Sequence, residues 1–268
     1  MTNTTSTRNT AGVCCFCDRP FAVVGRSSEH VIPQWLLNYL GILRTHKHIG
    51  LTTDADGELL NKVTASAFSR TYGRVCEKCN NGWMSSLETA TQRVFLRIFR
   101  RRIVEISPVE ARLLVGWAYK TFALMHLTDR GERKSVIRKS DLKSLCENGL
   151  PQGESELSLS RAAILTETRL KVFMPRVRYY AMKEVTLEPL VAQSDNFIGL
   201  LQFEELLLTY VYKAPPLLWM TNVDSRLEGE MRIWPMDEPL RIETSELPLV
   251  TNPSEIKIFF TANVEPMA

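Results

Sequence analysis

The sequence predicts an α+β protein in two parts, a small metal-stapled N-terminal module followed by a larger domain with a largely antiparallel sheet. Three observations lead there. Cysteines fall in two C-x-x-C pairs, Cys14/Cys17 and Cys76/Cys79, which together offer the four thiolates of a closed tetrahedral zinc site. The chain has 268 residues, more than the roughly 100–200 of a common single domain, so a small module plus a second domain is the natural division. Strand-like segments follow one another in the C-terminal part without helices between them, the pattern of an antiparallel sheet.

Residues 1–12, rich in Thr, Asn and Ser, read as a disordered lead-in, and residues 13–106 as the zinc-binding module. Cys14 to Cys17 forms the first knuckle, Ala22–Val24 a short strand, and Gly25-Arg26-Ser27-Ser28 the loop that presents Glu29 and His30. Pro33 opens a helix over Gln34–Tyr39, which Gly41 stops. A hairpin inserted at about 45–69 turns around Asp54-Ala55-Asp56-Gly57, after which Arg74-Val75-Cys76 returns the chain to the metal. From about Asn81 to Arg101 the residues Trp83, Leu87, Ala90, Val94 and Ile98 recur at helical steps. That helix therefore buries one face and turns Asn81, Ser85 and Glu88 to another.

The second domain spans residues 107–268. Ser107-Pro108-Val109-Glu110 is a capping box with Pro at the first helical position, and it opens an apolar core helix through Leu113, Leu114, Trp117, Thr121 and Leu124 to about Leu127. A second helix over Ser140–Glu147 ends at Gly149 and Pro151. Strands then follow at Ala162–Met174, Val177–Val185, Asn196–Phe203, Leu206–Tyr212, Gly229–Trp234 and Ile256–Thr261. Neither a repeat nor a catalytic motif marks this domain.

Composition narrows the class. Hydrophobic residues at 44% and charged residues at 24% describe an ordinary globular protein. No run approaches the roughly 18 apolar residues of a membrane span, and the polar start Met1–Thr10 lacks the apolar core of a signal peptide. A cytoplasmic protein without membrane contact is expected, and in that reducing compartment paired cysteines read as metal ligands rather than disulfides. Residues 1–106 hold 14 Lys and Arg against 8 Asp and Glu, while the remainder holds 19 against 22. The N-terminal half is thus modestly basic, compatible with phosphate contacts. Arg97, Arg100, Arg101 and Arg102 read either as a solvated helix end favoured by the dipole or as a contact to a nucleic-acid backbone.

Beside the cysteines stand Ser28-Glu29-His30-Val31-Ile32-Pro33 after the first pair and Asn80-Asn81-Gly82-Trp83 directly after the second. In these residues the chain resembles the HNH, or ββα-metal, endonucleases, and among them the zinc-stapled kind similar to recombination endonuclease VII. The resemblance covers roughly residues 14–90. It implies two strands and a helix around the zinc, Glu29 and Asn80 as oxygen ligands of a catalytic Mg²⁺ or Mn²⁺, and His30 as general base. The activity it implies is metal-dependent hydrolysis of phosphodiesters in DNA more than in RNA. Asn81 and Glu88, on one face of the helix that starts at the metal, read separately as candidates to support the ligands from one step further out. Glu29 stands where the family more commonly has Asp, and the long stretch between His30 and Cys76 reads as an insertion.

Each of these residues also has a plainer reading. The four cysteines would then be buried thiols, His30 a histidine packed in a loop, Asn80 a helix cap and Glu88 a solvated carboxylate. Cys15 offers an alternative to Cys14, although only Cys14 keeps the two-residue spacing to Cys17. His46 and His48, two apart, share one face of a strand, as either a metal pair or surface histidines; His126 reads as structural and Cys146 as core. Two other classes of function fit the same sequence: a zinc-stabilised nucleic-acid-binding module without cleavage, and a nuclease-derived scaffold whose C-terminal domain binds a partner or signal.

Overall fold

The computed structural model describes residues 12–42, 47–53, 59–66, 69–128, 137–162, 170–173, 197–214 and 231–250. The N-terminal part is built on two strands that are distant in sequence. Pro20, with φ already set for a turn, starts a single helical turn α1 (Phe21–Val24), and Gly25 ends it with φ 68°. A Cβ at Gly25 would stand 2.8 Å from the Glu77 carboxyl group, the movable end of a flexible side chain, so it is the backbone angle that calls for glycine there. The apolar run Ala22–Val24 is thus helical where its sequence suggests a strand. The strand comes immediately after, as β1 (Arg26–His30), in residues that read as a loop.

Pairing in space makes that strand. β1 runs antiparallel to β4 (Thr71–Cys76), with Arg26 opposite Cys76 and His30 opposite Thr71, and the register slips between Ser27 and Glu29. Between them in sequence come α2 (Gln34–Tyr39) and the hairpin of β2 (Lys47–Thr53) with β3 (Leu59–Ser66), which is the inserted hairpin expected from the sequence. His48 is described only as part of the β2 backbone, and His46 lies outside the described residues.

The chain leaves β4 directly into a helix. A first turn, α3 (Glu77–Cys79), passes through a widened turn at residues 80–84, kinked at Gly82, into α4 (Ser85–Arg100). Leu87, Val94 and Ile98 are buried along α4 as their spacing predicts, and Thr91 and Phe95 join them.

The second half is α+β, and its main sheet pairs antiparallel except at one edge contact. The capping box forms as read: Ser107 N–H donates to Glu110 Oε2 at 3.0 Å, and Glu110 N–H donates to Ser107 Oγ at 3.3 Å. It opens α5 (Pro108–Thr128), which follows the short strand β5 (Ile103–Ile106). α6 (Lys139–Asn148) ends on Gly149 in the left-handed region at φ 76°. The strands are β6 (Glu154–Ala162), β7 (Leu170–Phe173), β8 (Phe197–Phe203), β9 (Leu206–Lys213), β10 (Met231–Trp234), β11 (Leu240–Glu243) and β12 (Leu249–Val250). The main sheet has the order β10-β6-β9-β8-β7, and β12 adds to β6 in parallel. β6 begins at Glu154, eight positions ahead of the strand read from the sequence. The strands expected at Val177–Val185 and Ile256–Thr261 lie outside the described residues, as do residues 1–11.

One hydrophobic core runs through both halves. α5 is buried on nearly every side, from Leu114 to Met125, and its Trp117 meets Phe95 of α4 edge-on at 5.0 Å. Phe95 also meets Trp35 of α2 and Phe203 of β8. β11 pairs with β5, which ties residues 240–243 back to the end of α4. Among the described residues no helix is long and apolar enough to cross a membrane.

Candidate metal centre and the adjoining acid–histidine strand

The four expected cysteines converge. Cys14, Cys17, Cys76 and Cys79 place their sulfurs within 4.8 Å of one another, with Cys14 Sγ 3.9 Å from Cys79 Sγ and Cys17 Sγ 3.7 Å from Cys76 Sγ. Tetrahedral zinc with Zn–S near 2.3 Å sets its sulfurs about 3.8 Å apart, so this is a cluster that could hold a metal such as zinc. Two backbone amides aim at it: Cys76 N–H donates to Cys14 Sγ at 3.4 Å, and Cys79 N–H to Cys76 Sγ at 3.3 Å. Such bonds favour thiolate over thiol.

Proton equilibria divide the sulfurs of the cluster. The adjoining Cys15 thiol, and after it that of Cys79, pulls Cys14 far below the ordinary thiol range. Cys14 and then Cys146 push Cys79 far above it, and burial lifts Cys17 to about 11. Sulfurs this close cannot all carry negative charge unaided; a divalent cation among them is what allows all four to ionise. Cys146, read from the sequence as a core residue, packs against the core and stands beside Cys79, so all six cysteines of the chain gather here.

Next to the sulfurs, Asn80, directly after α3, joins that turn to β1. Its Nδ2 donates to Ser27 Oγ at 2.8 Å and to the Ser28 carbonyl at 3.3 Å. Ser28 is the residue at which the β1–β4 register slips, and a bulge of this kind turns the following side chains to new directions. Asn80 follows the first helical turn instead of capping it. That cap belongs to Cys76, whose sulfur accepts the Cys79 amide. Asn80 Oδ1 accepts no hydrogen bond among the described residues.

Glu29 points inward. It is buried, and its Oε1 accepts a 2.6 Å hydrogen bond from Lys120 Nζ, while its Oε2 has no partner among the described residues. Lys120 is wholly buried in the middle of α5 and bonds Glu88 Oε1 as well. Glu88 in turn accepts Trp35 Nε1–H on Oε2 at 2.7 Å. Burial alone would pull the Lys120 pKa down. The Glu88 and Glu29 charges outweigh it and hold that pKa above the ordinary lysine value. Glu88 is therefore not a solvated carboxylate, while Asn81 is exposed.

His30, the last residue of β1, is half-exposed, and its Nε2 lies 2.8 Å from the Gln34 side-chain amide nitrogen at the start of α2. It is not packed in the core. Of the four arginines, Arg97 is paired with Glu110 at 2.6 Å and Arg102 with Glu243 at 2.9 Å; Arg100 and Arg101 remain exposed. His126 packs edge-on against Phe197 at 5.1 Å.

Glu29 Oε2 and Asn80 Oδ1 are side-chain oxygens without a hydrogen-bond partner among the described residues. Compared with known proteins, the chain matches no family model, no curated protein sequence and no solved structure.

Proposed function

We propose that the chain is a metal-dependent endonuclease that hydrolyses phosphodiester bonds, in DNA more readily than in RNA. The observation that carries this reading is the meeting of β1 and the helix start: Asn80 bonds the Ser27–Ser28 bulge, directly ahead of Glu29 and His30 and beside four converging cysteines. Phosphodiester hydrolysis requires a proton acceptor for water and a means of neutralising charge at the phosphate and the departing 3′-oxygen. His30, half-exposed with only the Gln34 side chain on its Nε2, is the proton acceptor. Glu29 and Asn80 would hold Mg²⁺ or Mn²⁺, and the bound ion would supply the charge neutralisation. A zinc ion on four thiolates keeps no open position, so its part is to hold β1 and the helix start in register.

A second reading rests on Lys120. Its ion pair already neutralises Glu29, as in a structural network, and that favours a zinc-stabilised nucleic-acid-binding module without cleavage. Supercoiled plasmid, linear DNA and RNA incubated with purified protein, with and without Mg²⁺ or Mn²⁺, separate the two. Nicking or linearisation that depends on the ion supports the nuclease; binding without cleavage on every substrate supports the module.

A further inference from the structure

The geometry points to Lys120 as a positioning residue of the candidate site, one that sets how much negative charge Glu29 and Glu88 offer a divalent ion. The inference rests on the proposed oxygen-ligand role of Glu29. Lys120 comes from α5, outside the stretch that carries the acid, the histidine and the cysteines, yet its ammonium is wholly buried and reaches both carboxylates. Two carboxylates converging on one point are the arrangement in which a divalent cation is commonly found; here a fixed monovalent cation takes that point. Lys120 leaves the pair with one net negative charge and commits Oε1 of each. Glu29 keeps a single oxygen, Oε2, and the Trp35 indole occupies the second oxygen of Glu88.

The consequence is a site tuned to weak, exchangeable binding. Without the ammonium an arriving ion would meet two full carboxylates and bind tightly at Glu29 and Glu88, drawn away from Asn80. With it, the ion has one oxygen of Glu29 to bind and must find its other ligand in Asn80. Lys120 therefore orients Glu29 and directs the ion toward the helix start, beside His30.

The test measures Mn²⁺ binding to the zinc-loaded full chain by loss of the free-ion paramagnetic signal, which does not depend on cleavage. Lys120→Met removes one positive charge and should tighten Mn²⁺ binding by about tenfold or more. Glu88→Gln removes one negative charge while keeping a neutral acceptor for Lys120 and Trp35, and should weaken binding by about the same factor. A purely structural brace would lower thermal stability in both variants and leave Mn²⁺ affinity alone. If Lys120→Met does not fold, Glu88→Gln decides: unchanged Mn²⁺ affinity there overturns the assignment, as does absence of saturable Mn²⁺ binding by the wild type. Wild-type protein that shows these shifts but cuts no nucleic acid keeps the Lys120 assignment and removes the nuclease reading. Protein that cuts while Glu88→Gln binds Mn²⁺ normally does the reverse.

Discussion

Lys120 Nζ and Glu29 Oε1 lie 2.6 Å apart across 91 residues of sequence, and through this contact the buried helix α5 grips the strand that ends in His30. Because the lysine is wholly buried, removing it alone leaves two carboxylates facing each other with no counter-charge. Lys120→Met should therefore destabilise the fold by about 3–5 kcal/mol in urea melts. The triple change Lys120→Met, Glu29→Gln, Glu88→Gln removes the charges as well and should recover most of that loss. Equal melts for the single variant and the wild type would mean that the contact carries no weight.

The cysteine cluster makes a separate claim on stability. Structural zinc contributes on the order of 10 kcal/mol to modules of this kind, so Cys79→Ser should lose both the metal and the folded N-terminal half. Elemental analysis should find one zinc per chain in the wild type. Active protein without zinc would contradict the assignment.

Glu110 provides a pH signature remote from the site. Burial pushes its carboxyl pKa up, but the Ser107 amide and the Arg97 guanidinium outweigh burial and hold it below the ordinary value. A carboxylate with a depressed folded-state pKa adds stability above its unfolded value near 4.5, and that stability is lost as pH falls through the folded value. Glu110→Ala should thus cost about 1–2 kcal/mol at pH 7, through the lost capping box and ion pair, and progressively less below pH 4.5. A difference independent of pH would rule out the charge as its source.

These residues also show where sequence reading stops. Cysteine spacing and the capping box are local rules, and both reappear in space as read. The helical stretch Phe21–Val24 and the strand Arg26–His30 invert their local propensities, because Pro20 and Gly25 shape the first and pairing with Thr71–Cys76 makes the second. β11 is short, and its partner β5 lies more than a hundred residues away, so no nearby pattern announces it. Lys120 did leave a signal: a single lysine between Tyr119 and Thr121 in a helix otherwise apolar enough to be buried all round. Such a residue needs counter-charges, and they come from Glu29, expected as a metal ligand, and Glu88, whose plain reading is solvation. Cys146 left none, since a lone cysteine has the same appearance in a core as beside a metal cluster.

Two classes of ligand imply two lifetimes for the metals. Thiolates hold zinc tightly, whereas one carboxylate and one amide oxygen hold Mg²⁺ or Mn²⁺ loosely. Brief EDTA treatment should stop cleavage while zinc content stays constant, and added Mg²⁺ or Mn²⁺ should restore it. Restoration by zinc alone would reverse the assignment of the two sites.

His30 separates enzyme from binding module. Its ring is half-exposed and bonded only to Gln34, so His30→Ala removes a proton acceptor without opening a cavity in the core or disturbing Lys120, Asn80 or the cysteines. A general base contributes about 10² to 10⁴ in rate, and cleavage should fall by that order while nucleic-acid binding, zinc content and melting temperature persist. Gln34→Ala, which frees Nε2 but keeps the imidazole, should lower the rate far less. Were His30 only a packing residue of a binding module, His30→Ala would lower stability and binding together. Equal cleavage by the wild type and His30→Ala would exclude this histidine as the base.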